Sequence, residues 1–453
     1  MGPGGLLAPP SRLPWRRPSH ELLLLVLVAL VALSPVNHAS DPDASRLCLS
    51  RALVHGRLTI SPCIGDSVDW SHHDGRIYSD KAPGMSVLSI PFVLAVRLRA
   101  PDRWVSSGDL RVWAVHVLTT GIAFLLLAAA VGRVAEGLAP GCGGFALVAF
   151  ALGTLAGPLA ESGFGHVPSA ALAFWAFLLI GRGRPALAGC AAGLAIAVEY
   201  PTAAVAAILM LYAALAGRRV VVRYLAGMLP ALVLLGGYDW AAFGSPFHLS
   251  YEYLGNPAAA EGQSSGLLGV GLPVWHAVDQ VFIGDRGLLL ASPILLAAAA
   301  GLVLVGRRHG PEALVCGLVA AVFIAANCSY YLPYGGTSPG PRFLTPMLPF
   351  LAVGLGPAFA RWRLPTTALA VVSVAATTAL TLTWASAMPY PGTVWRQIMA
   401  VISQGRGSRI ARELTNNLLT WAGPGRSLAA ELVALTAAAA LVVSAAGRGT
   451  RGP

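Results

Sequence analysis

The chain has 453 residues, of which 56% are hydrophobic and only 11% are charged, whereas about a quarter of the residues in soluble domains are charged. A soluble core cannot bury that much apolar surface, so the composition excludes an ordinary soluble protein and predicts a membrane protein with several spans. The net charge of +11 does not indicate a nucleic-acid partner, because the arginines lie in short clusters between apolar runs, without interleaved aromatic residues or a groove-reading motif.

The first apolar run, residues 22–33, follows Arg12, Arg16 and Arg17 and is short for a bilayer, which takes about 20 residues. It is either the apolar part of a signal peptide or a first membrane span. The segment SPVNHAS extends it and is a weak cleavage signal. We therefore predict a retained span, with residues 1–40 forming a cytoplasmic N-terminus and this span.

Eleven further apolar runs follow along the chain and predict an all-α polytopic membrane protein with about 11–13 transmembrane helices. They cover residues 111–131, 144–160, 167–181, 185–199, 201–217, 224–240, 287–306, 312–331, 342–360, 365–387 and 428–446. No matching pair of broken helices in two halves, the mark of many secondary transporters, is visible among them.

Clusters of arginine test this layout. They fall on every second connection between predicted spans, which places them on the same side of the membrane as the N-terminus. They lie at Arg133, 181–184, 217–219, 306–308, 361–363, and Arg448 with Arg451. By the positive-inside rule this side is cytoplasmic. The long loops, at 41–110, 241–286, 332–341 and 388–427, then lie outside, so we expect an extracytoplasmic active site.

This layout divides the chain into the N-terminal part, the loop 41–110, a multi-span core at 111–388, and an outer loop, last span and basic cytoplasmic tail at 389–453. Abundant glycine and alanine, and 31 basic residues of which Lys81 is the only lysine, are typical of a GC-rich genome. We therefore expect a multi-pass protein of the plasma membrane of a GC-rich bacterium.

The stretch 41–98 of the first outer loop carries six of the 20 acidic residues and two apolar helical patterns. The stretches ASRLCLSRALVHG and GMSVLSIPFVLAVRL predict two interfacial helices that hold the acids between them at the membrane boundary. A carboxylate at that depth can serve as a general base, or simply be solvated and balanced by Arg76 and Lys81. The six acids are Asp41, Asp43, Asp66, Asp69, Asp74 and Asp80.

The six cysteines have no metal-type spacing. Cys48 and Cys63 share the first outer loop, where they either pair or remain free thiols.

Several stretches in order resemble the C-type glycosyltransferases, multi-span enzymes that use polyprenyl-phosphate sugars, particularly the branch of bacterial protein mannosyltransferases and the lipid A aminoarabinose transferase. In the first loop, DPD at 41–43 precedes a helix and DGRIYSDKAPGMSVLSIP, which looks like the Lys-Pro-Pro-Leu segment of that branch. The stretches that follow are FGHVPSAALAFWAFLL (164–179), YDWAAFGSPF (238–247), DRGLLLASPILL (285–296) and YGGTSPGPRFLTPMLPFLA (334–352). Together they cover most of the chain from about 41 to 360.

Two departures from the family pattern stand out. The usual adjacent Asp-Glu pair after the first span is absent, and glycine occupies position 84, where the second proline is expected. The catalytic base is therefore either Asp43 or Asp69. The departures also leave two interpretations of the protein, a catalytically active enzyme and an inactive relative.

The resemblance implies that an acceptor hydroxyl attacks the anomeric carbon of the lipid-phosphate sugar, with inversion at that carbon. A carboxylate then takes the proton of the hydroxyl, and cations hold the phosphate that leaves. The resemblance also implies donor phosphate-binding roles for Lys81, Arg342 and His166, with Asp66, Asp74 and Glu199 as possible supporting residues. The two candidate bases, and all of these residues except Asp66, have plainer alternatives. These are a helix cap for Asp43, loop hydrogen bonding for Asp69, a turn for Asp74, lipid headgroups for Arg342, a cap for His166, a turn at Glu199 and an ion pair with Asp80 or Asp74 for Lys81.

No cofactor is certain, and a divalent metal on DPD stays possible, although no further oxygen ligand is evident. The implied partners are a polyprenyl-phosphate sugar donor, membrane lipid, and an extracytoplasmic glycan, lipid or protein acceptor. A transporter or flippase for a lipid-linked glycan would place essential charges deep inside spans, whereas these acids cluster in outer loops. A non-catalytic envelope scaffold is the second alternative.

Overall fold

The computed structural model describes residues 18–36, 40–98, 110–266, 269–273, 275–336, 338–383, 393, 395–396 and 432–442. The N-terminal arginines, most of the predicted outer loop 388–427 and the basic tail lie outside these ranges. So do residues 99–109 of the first outer loop.

Helices make up nearly all of the regular structure. In the first part of the chain they are α1 (Pro18–Ala32), α2 (Asp41–Val54), α3 (Ser61–Ile64), α4 (Gly84–Ala95), α5 (Leu110–His116), α6 (Ile122–Leu138), α7 (Gly143–Gly153), α8 (His166–Gly181), α9 (Pro185–Val198), α10 (Ala203–Leu215) and α11 (Arg218–Phe243). The remainder are α12 (Pro257–Ser264), α13 (Trp275–Phe282), α14 (Leu288–Ala291), α15 (Ile294–Gly306), α16 (Gly310–Cys328), α17 (Leu348–Ala352), α18 (Leu355–Arg361), α19 (Arg363–Thr383) and α20 (Leu432–Val442).

Shorter elements join them. A π-helical turn, Val117–Gly121, links α5 to α6, and 3₁₀ turns cover Tyr200–Thr202, Ser250–Tyr253 and Arg342–Met347. In the described part of the chain, two short strands, β1 (Ser71–His73) and β2 (Arg76–Tyr78), form an antiparallel hairpin.

The predicted all-α polytopic class is confirmed. Among the described residues, four helices are long and apolar enough to cross a membrane, and a fifth span is possible if the pair Arg342–Ala352 and Leu355–Arg361, bent by 55°, counts as one. Eight further apolar helices have 10–17 residues.

One predicted span is shorter than its apolar run. The run 144–160 is helical only to Gly153, after which residues 154–165 leave the helix. Gly157, Pro158 and Gly163 fall in this stretch, and glycine and proline both disfavour helix continuation. The irregular segment carries Glu161 into the interior of the protein.

Helices α9 and α11 pack with their backbones very close together. A Cβ atom added at Gly189 would collide with the carbonyl of Tyr224, and one at Gly227 would collide with the carbonyl of Ala186. Small residues of this kind allow close helix approach in membranes. The contact sets the position of Glu199, which directly follows α9.

The first outer loop folds as α2, α3, the hairpin and α4. Of the two alternatives for Cys48 and Cys63, the structure contains the disulfide, which ties α2 to α3 with the two Cα atoms 5.5 Å apart. Asp74 and Gly75 form the hairpin turn, both with positive φ, which is the type I′ arrangement that Asp-Gly favours.

Helix α2 begins at Asp41, so the predicted acidic segment DPD is its first turn. Ten of its fourteen residues are buried, so the protein itself covers most of this predicted interfacial helix.

Two predicted outer loops, 41–110 and 241–286, meet in one assembly. Ser71 bridges to Leu254 and donates its hydroxyl to the carbonyl of Ser250, at 2.7 Å. Ser250 in turn donates to the backbone carbonyl of Asp80, at 2.9 Å. The segment carrying Lys81 is therefore held from both loops.

Candidate functional site

Helix α2 presents two charged side chains, three residues apart, to the interior of the protein. Asp43 is 1% exposed, and its Oδ2 accepts hydrogen bonds from the backbone nitrogen and hydroxyl of Ser40, both at 2.7 Å. Its other oxygen, Oδ1, is buried without a hydrogen-bond partner. The capping role and a free carboxylate oxygen therefore coexist in one residue.

Arg46, one turn further along α2, pairs with the acid at the outer end of α9. Its Nη2 lies 2.6 Å from Oε1 of Glu199, and both side chains are almost fully buried. Its Nε and Nη1 have no hydrogen-bond partner. His166 Nδ1 lies 3.7 Å from the same Glu199 oxygen. Arg46 therefore retains N–H groups that could donate hydrogen bonds to a further anion.

Lys81 lies between two aspartates. Its Nζ is 2.6 Å from Oδ2 of Asp80 and 3.0 Å from Oδ2 of Asp69. Ser45, on α2, donates to Asp80 Oδ1 at 3.0 Å. The triad connects the segment before α4 with α2 and with the residues that precede the hairpin.

Burial and charge act differently on the three members. Burial alone would raise the pKa of Asp69, but the Lys81 charge and hydrogen bond, with Arg342 and Arg46, lower it below its usual value. Burial raises the pKa of Asp80 despite Lys81. Burial opposes the charge on Lys81, but Asp69 and Asp80 together raise its pKa above the usual value. Lys81 therefore remains cationic at neutral pH.

Arg342 completes the cationic group from the far end of the sequence. Its guanidinium lies 4.6 Å from the ring centre of Phe164 and 5.5 Å from that of Phe343, and its Nε is buried without a hydrogen-bond partner. The ring of His166 meets Phe343 edge-on at 5.4 Å. Within the described residues, Arg342 forms no ion pair within 4.0 Å.

The structure therefore brings five residues singled out from sequence into one cluster, and places Asp43 beside it on α2. The five are Asp69, Lys81, His166, Glu199 and Arg342. Two others are elsewhere. The Asp74 side chain is 87% exposed in the hairpin turn, and Asp66 is exposed after α3. Of the described residues, no group of three or more His, Cys, Asp or Glu is arranged to hold a metal ion.

Sequence reasoning did not identify Arg46, His116 or Glu161, and it named Asp80 only as one of the six loop acids and as a partner of Lys81. Arg46 follows Asp43 by three residues in a helical stretch, a spacing that puts both on one face. Glu161 directly follows a long apolar run, and an acid at membrane depth is a signal of function by itself. These two patterns could have identified both residues.

No protein-family model matches the chain, and no curated protein matches it significantly. Among solved structures, ArnT from Cupriavidus metallidurans, bound to undecaprenyl phosphate, is similar over 96% of this chain and 77% of that chain, with a TM-score of 0.52 and 15% identity.

Two further structures are more distant. The oligosaccharyltransferase of Archaeoglobus fulgidus has a TM-score of 0.45 and 15% identity over 85% of this chain and 56% of that chain. The arabinosyltransferase EmbB from Mycobacterium smegmatis has a TM-score of 0.40 and 16% identity over 95% of this chain and 41% of that chain.

The likeness to the ArnT structure shows that the chain has the fold of the C-type membrane glycosyltransferases, as the sequence motifs predicted. The protein is accordingly an integral membrane protein.

Proposed function

We propose that this protein is a membrane glycosyltransferase that transfers a sugar, with inversion, from a polyprenyl-phosphate donor to a hydroxyl of an extracytoplasmic acceptor. The observation that carries the proposal is the convergence of Lys81, Arg46 and Arg342 on Asp69, with N–H groups of both arginines left without partners. Arg342 is half-buried without an ion pair among the described residues, and removing a guanidinium from water without an anion is costly, so this arrangement calls for an anionic ligand.

A phosphate monoester or diester suits these donors. Guanidinium groups bind phosphate oxygens through paired hydrogen bonds, and the lysine ammonium adds a compact charge. The ArnT structure contains undecaprenyl phosphate, and we extend a ligand of this class to the present chain. Lys81, Arg46 and Arg342 then hold the phosphate of the donor, and His166 borders it.

In the proposed reaction, Asp43 acts as the general base. The acceptor O–H bond breaks as its oxygen bonds to the anomeric carbon, and the bond from that carbon to the phosphate oxygen breaks with its electron pair. The proton passes to Asp43 Oδ1, and the cations stabilise the charge that develops on the departing phosphate. Asp69 has a lowered pKa, which favours the role of counter-ion to Lys81 over that of base.

The acceptor must reach Asp43 for this step. Asp43 is 1% exposed, and a Cβ atom at Gly163 would collide with its Oδ1. We therefore propose that the backbone around Gly163 moves aside when the acceptor binds.

An extracytoplasmic site agrees with two features of the chain. The Cys48–Cys63 disulfide lies within the same loop as Lys81, and disulfides persist mainly in oxidising compartments. The arginine clusters assign the opposite side to the cytoplasm. Both features support placing the donor phosphate at the outer membrane boundary of the plasma membrane.

Binding of undecaprenyl phosphate to the purified protein in detergent tests the donor site. We expect Arg342→Ala to weaken binding by about 10-fold or more, since a charge-assisted hydrogen bond contributes about 1.5–3 kcal/mol. Arg308→Ala, in a predicted cytoplasmic cluster, is the matched control and leaves binding unchanged. Equal binding by both variants would contradict the assigned site.

Mass spectrometry of polyprenyl-phosphate sugars and envelope glycans, with and without the gene, tests the reaction and names the sugar. A donor that accumulates without the gene supports transfer, whereas no change in either pool contradicts it. Asp43→Asn should reproduce the accumulation and Asp69→Asn should do so more weakly. A normal glycan profile in both variants would favour the scaffold alternative.

A further inference from the structure

A second group of buried ionisable side chains lies beside the proposed donor site and takes no part in holding phosphate. Asp43 on α2, His116 at the end of α5 and Glu161 in the segment between α7 and α8 come together from three parts of the chain. Their side chains are 1–2% exposed. Burying two carboxylates and one imidazole is costly unless they interact with each other.

The free atoms of Asp43 and His116 face each other. Oδ1 of Asp43 and Nε2 of His116 are 4.0 Å apart, and neither has a hydrogen-bond partner. Ser40 holds the other carboxylate oxygen, so the orientation of Oδ1 is set. A Cβ atom at Gly163 would lie 3.0 Å from His116 Nε2, so the backbone there borders both atoms. A movement of about 1 Å would bring them within hydrogen-bond distance.

The opposite side of the imidazole is held by Glu161. Nδ1 of His116 lies 3.3 Å from Oε1 of Glu161. With the proton on Nδ1 donated to this carboxylate, Nε2 presents a lone pair towards Asp43. Asp43 and Glu161 are the charged groups that face His116 among the described residues.

The helix is also irregular at this point. A π-helical turn, Val117–Gly121, begins directly after His116, and the Thr119 hydroxyl donates to the carbonyl of Val115 at 2.7 Å. Single π-helical turns within α-helices occur frequently at functional sites. The irregularity therefore supports a role for His116 beyond packing.

We propose, on the basis of the proposed glycosyltransferase function, that His116 is a positioning residue that receives from Asp43 the proton taken from the acceptor, with Glu161 orienting the imidazole. The acceptor O–H bond breaks and its proton moves to Asp43 Oδ1, then to His116 Nε2. The electron pair of the broken glycosidic bond leaves on the donor phosphate. Asp43 is ionised again, and the His116 cation lies between two carboxylates.

The rate–pH profile of donor consumption tests this role. The preparation is membranes of cells that lack the gene and express wild type or a variant, and the probe is their native pool of polyprenyl-phosphate sugar, followed by mass spectrometry from about pH 5 to 9. His116→Asn keeps an amide that can donate to Glu161 but has no group at the Nε2 position.

We expect His116→Asn to bind undecaprenyl phosphate as wild type does and to consume donor about 10-fold or more slowly at neutral pH. The loss should diminish as the pH rises, because without the imidazole the protonated Asp43 must release its proton to solvent, and that release is faster at higher pH. The acidic limb of the profile therefore moves to higher pH. Glu161→Gln should move it in the same direction by less.

Exposed His72, in the hairpin, provides the matched control, and His72→Asn should leave the profile unchanged. If the rate of donor consumption fell equally at every pH in both His116→Asn and Glu161→Gln, the role of His116 would be structural. That result would overturn the inference and leave the proposed glycosyltransferase function intact. Absence of donor consumption by the wild type would overturn both.

Discussion

At the scale of single residues, the environment of Lys81 restricts its replacement. Its Nζ is 2.6 Å from Asp80 and 3.0 Å from Asp69, and its side chain is 15% exposed. Two acids on different segments thus share one compact ammonium. A guanidinium is larger and planar, so it cannot meet both carboxylates in the same space without moving one of them.

We predict that Lys81→Ala destabilises the protein by about 3 kcal/mol, because it leaves the buried Asp80 and the half-buried Asp69 without their cation. Lys81→Arg should preserve the fold but weaken undecaprenyl phosphate binding by about 10-fold. Thermal unfolding and binding in detergent measure the two effects. Arg76→Ala, at an exposed position of the same loop, should change neither. Full binding by Lys81→Arg would show that positive charge alone suffices.

At the scale of elements, the first turn of α4 is positioned by a glycine. A Cβ atom at Gly84 would press against the carbonyl of Ala197 and lie 2.7 Å from the nitrogen of Val198. Position 84 is where the sequence departs from the Lys-Pro-Pro pattern, and the contact gives a steric reason for the departure. It also fixes the distance between the Lys81 segment and the end of α9, which Glu199 follows.

Gly84→Ala should therefore cost about 1–3 kcal/mol of stability, since it forces backbone apart in a packed region. It should also weaken undecaprenyl phosphate binding, because Lys81 and Glu199 would be displaced relative to each other. Gly317→Ala is the control, since Gly317 lies in α16 with no atom within 4 Å of an added Cβ. That change should be neutral or slightly stabilising. Unfolding temperatures that fall equally for both would contradict the steric account.

At the scale of the whole molecule, the site depends on which side of the membrane the loops occupy. The hairpin of the first loop and the segment around Ser250 are joined by hydrogen bonds, so both belong to one face. Arg184 precedes α9 in a predicted cytoplasmic cluster, and Ser264 ends α12 in a predicted outer loop, and both are exposed.

Labelling of whole cells with a membrane-impermeant maleimide tests this topology. In a chain whose exposed Cys190 is replaced by serine, we expect Ser264→Cys to be labelled in intact cells. Arg184→Cys should be labelled only after the membrane is permeabilised. The reverse pattern would place the proposed site in the cytoplasm and contradict the predicted orientation.

Much of the fold was accessible from local patterns. Apolar runs located most helices to within a few residues, and Asp-Gly marked the turn at residues 74–75, because both signals depend on neighbours in the chain. The end of α7 at Gly153 was missed, since the apolar character continues beyond it while the glycines and proline that break the helix follow.

The sequence by itself determined the membrane class, the approximate helices, the two candidate disulfide partners and the segment containing Lys81. Only the tertiary structure decided which charges meet. Arg46 and Glu199 are separated by 153 residues, and His116 and Glu161 by 45. Hydropathy and helical periodicity are local properties, whereas ion pairs depend on helix packing, as at Gly84, and on backbone breaks, as at residues 154–165. The lone lysine and its neighbour Asp80 were therefore visible in sequence, but the second carboxylate partner, Asp69, was set by the fold.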